Sequence, residues 1–178
     1  EQSHERAVEW FEKAAAQGHV KAQFSLGFAY EHGQGVPQSD ERAFELYKQS
    51  AAQGNPVAQN NIGCYYRDGR GCDQSYERAA EWFEKAALQG HAGAQNSLGR
   101  AYELGEGVPQ SDEKAFELYS QSAAQGNPNG QASLALCYYH GRGCKQSYER
   151  AVELFRQSAA QGNMDAQYNL AVSATCLI

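Results

Sequence analysis

Metal binding is the first chemistry to consider, because the chain contains five histidines and five cysteines. Zinc sites on helices commonly use two histidines one turn apart. No two of the histidines are that close; they are His4, His19, His32, His91 and His140. The sequence therefore predicts no metal site and no cofactor.

Short Gly-x-Gly segments recur along the chain and raise the question of phosphate binding. The first is Gly33-Gln34-Gly35, and three more follow at residues 69–71, 105–107 and 141–143. A dinucleotide-binding loop needs a preceding strand and a third glycine, and both are missing here. We therefore predict that these segments are tight turns between helices, where glycine adopts positive φ angles at low cost.

A Ser-x-x-Lys motif at Ser111 and Lys114 matches the nucleophile motif of penicillin-recognising enzymes. The Ser-Asp-Asn and Lys-Thr-Gly segments that accompany the motif in those enzymes are absent. Ser39, Ser75 and Ser147 occupy the same position in neighbouring segments, each followed three residues later by arginine. Helix capping accounts for all four serines, so we predict that Ser111 is a cap and that the chain is not an enzyme.

The five cysteines are Cys64, Cys72, Cys137, Cys144 and Cys176. Their number is odd, and they are too sparse for the disulfide framework of a small secreted domain. Cys72 and Cys144 stand at the same position of two different segments, which would hold them too far apart for a bridge. We expect most of these thiols to be small buried apolar groups, which favours a reducing compartment.

The organising feature of the chain is a repeat of 36 residues. The dipeptide Gln-Gly marks it, with glycines at positions 18, 54, 90, 126 and 162. Such a period is typical of stacked units that are each too small to bury their own apolar face. We predict one array that covers residues 1–178: full repeats at 19–54, 55–90, 91–126 and 127–162, flanked by half repeats at 1–18 and 163–178.

Each repeat is predicted to contain two helices. In the first full repeat, residues 20–31 carry apolar side chains at helical spacing and end before a glycine-rich turn. A second helix follows at residues 40–52, with Ser39 as its cap. Gly54 supplies the left-handed residue that ends this helix, as Gly90 and Gly126 do in later repeats.

His19 and His91 begin first helices and are predicted to cap them. Trp10 and Trp82 match in second helices and are predicted to pack in the core or between repeats, not to form a ligand cage.

The pattern resembles the SEL-1-like repeat family, a relative of the tetratricopeptide repeats, over almost the whole chain. In the first full repeat it is carried by Ala22, Leu26, Gly27, Tyr30, Gly33, Gly35, Val36, Ala43, Tyr47, Ala51, Ala52 and Gly54. The resemblance implies an all-α fold: a right-handed α-solenoid of about ten helices, in which first helices line a concave face. Cysteine-rich bacterial members bridge the end of a second helix to the next first helix. The matching positions, such as Ala52 and Asn60, hold no cysteine, so that branch and its extracytoplasmic location are not supported.

A second period of 72 residues makes the first helices of repeats one and three an internal comparison. They differ at Val20/Ala92, Lys21/Gly93, Phe24/Asn96, Phe28/Arg100 and His32/Leu104. These positions lie on one face of a helix, whereas the unchanged apolar residues lie on the other. We predict that this variable face is the concave surface, which is the peptide-binding surface in tetratricopeptide repeats.

Carried through the four repeats, this first-helix face forms the candidate binding site. Its residues are Lys21, Phe24, Phe28 and His32, then Val57, Asn60, Cys64 and Asp68, then Gly93, Asn96, Arg100 and Leu104, then Asn129, Ala132, Leu136 and His140. Phe24 and Phe28 are expected to be exposed and to supply the buried contacts with a partner. Asn60, Asn96 and Arg100 are suited to bind a peptide backbone or a carboxylate.

Net charge and hydropathy exclude two classes of partner. With 21 acidic and 15 basic side chains, the chain has a formal charge of -6 and is unsuited to a phosphate backbone. No apolar run approaches the length of a membrane span, including the closing residues 171–178. The sequence therefore predicts a soluble chain that binds neither nucleic acid nor the membrane interior, and its first residue, Glu1, suggests a fragment or a processed product.

We predict a scaffold or adaptor that binds a protein or peptide partner on the first-helix face. The alternative is a hydrolase of the penicillin-recognising type or a carbohydrate-binding module, in which Tyr65, Tyr66, Tyr138 and Tyr139 stack on sugars. Self-association is also expected, because apolar residues at both ends lack a polar capping helix. Those residues are Val8, Phe11, Leu170, Val172 and Leu177.

Overall fold

A computed structural model describes residues 2–175 of the chain, and throughout that range all regular secondary structure is helical. The ten helices are α1 (Gln2–Ala16), α2 (Val20–His32), α3 (Asp40–Ala52), α4 (Pro56–Asp68), α5 (Tyr76–Leu88), α6 (Ala92–Leu104), α7 (Asp112–Ala124), α8 (Pro128–His140), α9 (Tyr148–Ala160) and α10 (Met164–Thr175). The prediction of two helices in each repeat is confirmed, with boundaries within a residue or two.

The chain forms two compact units, Glu1–Gln89 and Gly90–Ile178. In the N-terminal unit, α1 to α5 pack in chain order, each helix against the next. In the C-terminal unit, α6 to α10 do the same, and α6 also contacts α8, the first helix of the following repeat. The small apolar face of one helix pair is thereby covered by the next pair, as a stacked-repeat core requires.

The helix caps predicted from the sequence are present. Ser111 Oγ accepts a hydrogen bond from the Lys114 amide at 3.3 Å, and Ser39, Ser75 and Ser147 cap their helices in the same way. His19 and His91 accept from the amides three residues later, so their ring nitrogens replace the asparagine oxygens used in other repeats. Burial lowers the pKa of His91, which favours the neutral ring that an acceptor nitrogen requires.

The turn that ends each second helix is built on a left-handed glycine. Gly54, Gly90 and Gly126 have φ angles of 91°, 82° and 79°, as predicted. These angles disfavour any residue with a Cβ atom. Gln-Gly therefore marks the repeat boundary for a conformational reason.

One aromatic residue of each second helix packs into the space left by a small residue of its own first helix. Tyr47, Phe83, Tyr119 and Phe155 are each at most 2% exposed. They lie against Gly27, Gly63, Gly99 and Ala135 respectively, all of which are buried. We call this contact the aromatic–small pair; it lets the two helices of a repeat approach closely.

The 72-residue period corresponds to polar contacts in which odd and even repeats contribute different side chains. In repeats one and three, Tyr47 and Tyr119 donate hydrogen bonds to Glu31 and Glu103 at 2.6 and 2.7 Å. In repeats two and four the corresponding aromatic is phenylalanine. The turns of the latter repeats carry Arg70 and Arg142, which form ion pairs with the same two glutamates at 3.0 and 2.6 Å. Within each unit, an arginine–glutamate ion pair therefore joins an odd repeat to the following even repeat.

Two packing expectations are wrong in detail. Trp10 is 67% exposed, with Lys13 Nζ 4.4 Å from the centroid of its ring; among the described helices, α1 packs on α2, and Trp10 lies outside that contact. Trp82 is half-buried against the core, as expected. Val8 was expected to be an exposed apolar residue, but it is buried. Phe11 and Leu170 are half-buried and Val172 is 37% exposed, while Leu177 lies outside the described residues.

The cysteines of the described range, Cys64, Cys72, Cys137 and Cys144, are free thiols. Cys137 is buried, as expected, and the other three are half-buried; Cys176 lies outside the described residues. Desolvation raises the pKa of each of the four, and that of Cys137 to about 12. These thiols are therefore poor nucleophiles in the folded chain.

We expect Cys137 to be alkylated more slowly than Cys72 and Cys144 at pH 8. A pKa of about 12 leaves about one thiolate in ten thousand at that pH, compared with about a quarter for an ordinary thiol. Timed iodoacetamide labelling with peptide mass spectrometry measures each rate, and the same reaction in 6 M guanidinium chloride is the control. Equal rates for Cys137 and Cys72 in the folded chain would contradict this prediction.

Candidate functional site

The first-helix face of the N-terminal unit begins on α2. Lys21, Phe28 and His32 are exposed there, and Phe28 stacks on His32 with ring centroids 4.0 Å apart. Phe24 was expected to be exposed but is half-buried, because its ring packs 5.4 Å from that of Tyr47 on α3. The accessible aromatic surface of α2 is therefore centred on Phe28, which is 41% exposed.

On α4 the same face is more polar. Val57 and Asp68 are exposed, whereas Asn60 and Cys64 are half-buried. Arg67 forms a two-point ion pair with Asp68, with the shorter contact at 2.7 Å. On α4, a partner would therefore meet the Asp68 carboxylate, which is already paired with Arg67, and the exposed apolar side chain of Val57.

In the C-terminal unit, the face on α6 combines a cation with an apolar side chain. Arg100 is exposed and Leu104 is 50% exposed, whereas Gly93 and Asn96 are half-buried. Ser133 Oγ on α8 donates a hydrogen bond to Asn96 Oδ1 at 3.1 Å. Asn96 thus links two first helices, which makes it a structural residue as well as a candidate binding residue.

The face on α8 is accessible at three of its four positions. Asn129, Leu136 and His140 are exposed, and Ala132 is buried. Leu136 lies at the repeat position of Phe28 and Arg100, and His140 at that of His32 and Leu104. Each unit therefore presents an apolar side chain and an ionisable or polar side chain on the exposed edge of its first helices.

An apolar cavity of about 370 Å³ adjoins this face between α1 and α2. Phe24 and Phe28 line one wall, while Val8, Phe11 and His4 of α1 line the other. The α1 residues of this cavity lie on a second helix and so are not among the residues predicted from the first helices. Their signal was present, since Phe11 stands 36 residues before Tyr47 and so at the position of a buried aromatic.

Each second helix carries an exposed glutamate at the same repeat position. Glu9, Glu45, Glu81, Glu117 and Glu153 recur every 36 residues and are all exposed. Glu45 makes one exposed contact, to Lys48 at 3.5 Å. Such a pair contributes little to stability, so these glutamates are suitable positions for control substitutions.

Three of the four tyrosine rings considered for sugar stacking pack against other side chains of the protein. Tyr65 is 1% exposed and lies in the core. Tyr66 and Tyr138 meet Phe44 and Phe116 edge-on. Arginine guanidinium groups lie over the rings of all three tyrosines. A ring face that is already covered cannot stack on a sugar, which argues against the carbohydrate alternative at these three positions.

Ser111 and Lys114 likewise make contacts within their own repeat. The hydroxyl caps α7, and Lys114 Nζ lies 4.8 Å from the ring centroid of Tyr102. Within the described residues, no group of three or more histidine, cysteine or acidic side chains is placed to hold a metal ion. The helices described are also too short or too polar to cross a bilayer.

The family comparison matches the Sel1 repeat model at residues 1–19, 20–55, 56–91, 92–127 and 128–163. These boundaries lie one residue beyond those predicted from the Gln-Gly dipeptides. No curated protein sequence matches the chain.

Solved structures with the same fold include bacterial repeat proteins. One is c5321, a protective antigen with an SLR fold present in uropathogenic Escherichia coli strains, at 39% identity and a TM-score of 0.84 over 93% of this chain. Another is a Sel1 repeat protein from Oxalobacter formigenes, at 34% identity and a TM-score of 0.90 over 93% of this chain. The immunity protein Pa5087 from Pseudomonas aeruginosa matches at 25% identity and a TM-score of 0.60 over 89% of the chain. The chain spans 36%, 66% and 59% of those three proteins.

Proposed function

The chain belongs to the Sel1 repeat family, an all-α solenoid class whose members are commonly protein-interaction scaffolds, and from this we propose that it binds a peptide or protein partner on its first-helix face. The observation that carries the proposal is the exposed Phe28 ring. It stacks on His32 and borders an apolar cavity of about 370 Å³. A large aromatic group held at the rim of a cavity is typical of a binding hot spot.

The two units offer a partner different kinds of contact. In the N-terminal unit, Phe28 and the adjoining cavity suit an apolar side chain of the partner. In the C-terminal unit, Arg100 suits a carboxylate or a backbone carbonyl, with Leu104 as its apolar neighbour. Second helices also expose apolar side chains, among them Trp10, Leu88 and Tyr148. None of these three lines the apolar cavity beside Phe28, which is why we favour first helices.

We expect the double substitution Phe28→Ala and Arg100→Ala to weaken partner binding at least tenfold. Loss of about 1 kcal/mol at each position is sufficient for this change. Wild-type and variant chains are immobilised in parallel, recovered proteins are identified by mass spectrometry, and the strongest is then titrated as a purified protein. Helical circular dichroism and the melting curve should change little, because both side chains are exposed.

The matched control is Glu45→Ala with Glu117→Ala, one exposed residue on a second helix of each unit. This pair should retain the same partner with unchanged affinity. If the glutamate pair abolishes binding while the Phe28 and Arg100 pair does not, the partner binds the second-helix surface and the proposal is wrong.

A further inference from the structure

Two kinds of side chain cap the first helices. Asn55, Asn127 and Asn163 each accept a backbone amide proton with the side-chain oxygen, at the start of α4, α8 and α10. His19 and His91 accept the matching amide proton of α2 and α6 with the ring atom Nδ1. The asparagine oxygen accepts at any physiological pH, whereas Nδ1 accepts only while it carries no proton. The caps of α2 and α6 therefore depend on protonation, and those of the other three helices do not.

Protonation of a histidine cap replaces one attraction by two repulsions. In the imidazolium ion both ring nitrogens carry hydrogen, so Nδ1 would direct its own proton at the amide proton that it had bound. The added positive charge would also stand at the positive end of the helix dipole. The charged ring must therefore leave the capping position, and the amide of the first turn loses its partner.

Of the two histidine caps, His91 is the more enclosed. It is half-buried, whereas His19 is exposed. Residue 93 is glycine, and a Cβ atom at that position would lie 3.1 Å from His91 Cε1. The ring therefore lies over the first turn of α6, where the glycine leaves room for it. In α2 the matching position holds Lys21.

The surroundings of His91 in the described part of its own unit are neutral. The first turn of α6 has no acidic residue. The side chains of α7 that bond this part of α6 are Ser122 and Gln125, and Ser133 of α8 bonds the next turn. Burial alone lowers the pKa of His91, and no neighbouring charge contributes to that shift. A protonated ring would therefore have no counter-ion to hold it in place.

We propose that His91 is a pH-sensitive cap, which releases the first turn of α6 from α7 as the pH falls below about 6.5. The link at stake is the Ala92 carbonyl, which accepts a hydrogen bond from Ser122 Oγ at 2.8 Å. Opening of this turn also displaces Gly93, the first α6 residue of the first-helix face. This inference goes beyond the proposed scaffold role, because it concerns the response of α6 to pH whether or not a partner is bound.

The direction of the effect follows from the lowered pKa of His91. The unfolded chain takes up a proton at this residue near pH 6.5, before the folded chain does. Stabilisation by the cap is therefore complete above that pH and is lost as the pH falls through the pKa of the folded state. The Asn127 cap of α8 adds no such dependence.

The test compares two capped amides of the same unit by NMR hydrogen exchange in the 178-residue chain. The Ala94 amide donates to His91 at 3.1 Å, and the Gly130 amide donates to Asn127 at 2.9 Å. From about pH 7.5 to about pH 5, the protection factor of Ala94 should fall about fivefold relative to that of Gly130, the factor that one lost N-cap represents. Equal changes at the two amides would overturn the proposal.

Exchange of the two caps gives matched variants. His91→Asn installs the cap of the even repeats, so the relative fall in protection at Ala94 should disappear. Asn127→His installs a histidine cap on α8, so a comparable fall should appear at Gly130. The histidine ring fits such a position without a glycine two residues later, as the cap of α2 shows.

Thermal unfolding provides a second readout. Over the same pH interval, the Tm of the wild type should fall about 2–4 °C further than that of His91→Asn, the shift expected from one cap in a chain of this length. A His91→Asn variant that is folded by circular dichroism and as acid-sensitive as the wild type would also overturn the proposal. Neither result affects the partner experiment, which depends on Phe28 and Arg100.

Discussion

Gly71→Ala is expected to lower the free energy of unfolding by about 2–5 kcal/mol, one of the largest effects of any single methyl group in this chain. Gly71 has a φ angle of 61°, which already disfavours a Cβ atom. That atom would also lie 2.5 Å from the carbonyl oxygen of Asp40 and 2.6 Å from its carbonyl carbon. The obstacle is the backbone at the start of α3, which cannot rotate away as a side chain can.

The matched control is Gly54→Ala. Gly54 also has a positive φ angle, of 91°, but no atom lies within 4 Å of the position its Cβ would occupy. Its substitution should therefore cost only the backbone strain, about 1–2 kcal/mol. Urea unfolding followed by circular dichroism measures both. Equal losses for the two variants would mean that the turn in repeat two does not approach α3 as closely as described.

Tyr47→Ala is expected to destabilise the chain by about 3–5 kcal/mol, as large-to-small changes at a buried aromatic do. Tyr47 is fully buried, and its ring meets those of Phe24 and Tyr65. Its hydroxyl donates to Glu31 at 2.6 Å, and desolvation together with this bond raises the pKa of Tyr47 above its usual value. The phenol therefore remains a donor throughout the physiological pH range.

Tyr47→Phe separates the hydrogen bond from the ring. It keeps the packing and removes one donor to a carboxylate, so the expected loss is about 1.5–3 kcal/mol. Chemical denaturation gives the free energy of unfolding of Tyr47→Ala and Tyr47→Phe, and Trp10→Ala, at an exposed aromatic, is the control. Trp10→Ala should cost less than about 0.5 kcal/mol. A Tyr47→Phe variant as stable as the wild type would show that the bond to Glu31 does not stabilise the fold.

The fold could be predicted largely from local signals. Capping serines, the Gln-Gly turns and the apolar spacing of each helix act within a few residues, and the 36-residue repeat multiplies every signal. Ser39 and Gly54 therefore have the predicted roles. The prediction for Trp10 was wrong because equivalence to Trp82 does not supply the same neighbours: α5 packs against α4, the helix before it, whereas within the described residues α1 packs on α2, the helix after it.

Contacts between repeats were less predictable. The ion pair between Arg70 and Glu31 joins residues 39 positions apart and has no local pattern. The 72-residue period was its signal, because arginine occurs in the turns of even repeats and glutamate at the ends of odd first helices. Ten of the sixteen positions on the variable face of the first helices are exposed in the structure, and the role of this face in partner binding stays a prediction. Phe24 is half-buried because it also contacts Tyr47, which a comparison of first helices alone cannot show.

The most direct test of partner binding on the first-helix face is site-specific photo-crosslinking. A benzoylphenylalanine residue is placed at position 28 or 100 on first helices, and at position 45 or 117 on second helices, and each chain is irradiated with the recovered partner. We predict covalent adducts from positions 28 and 100 and background labelling from positions 45 and 117. Adducts from positions 45 and 117, with none from positions 28 and 100, would contradict this prediction.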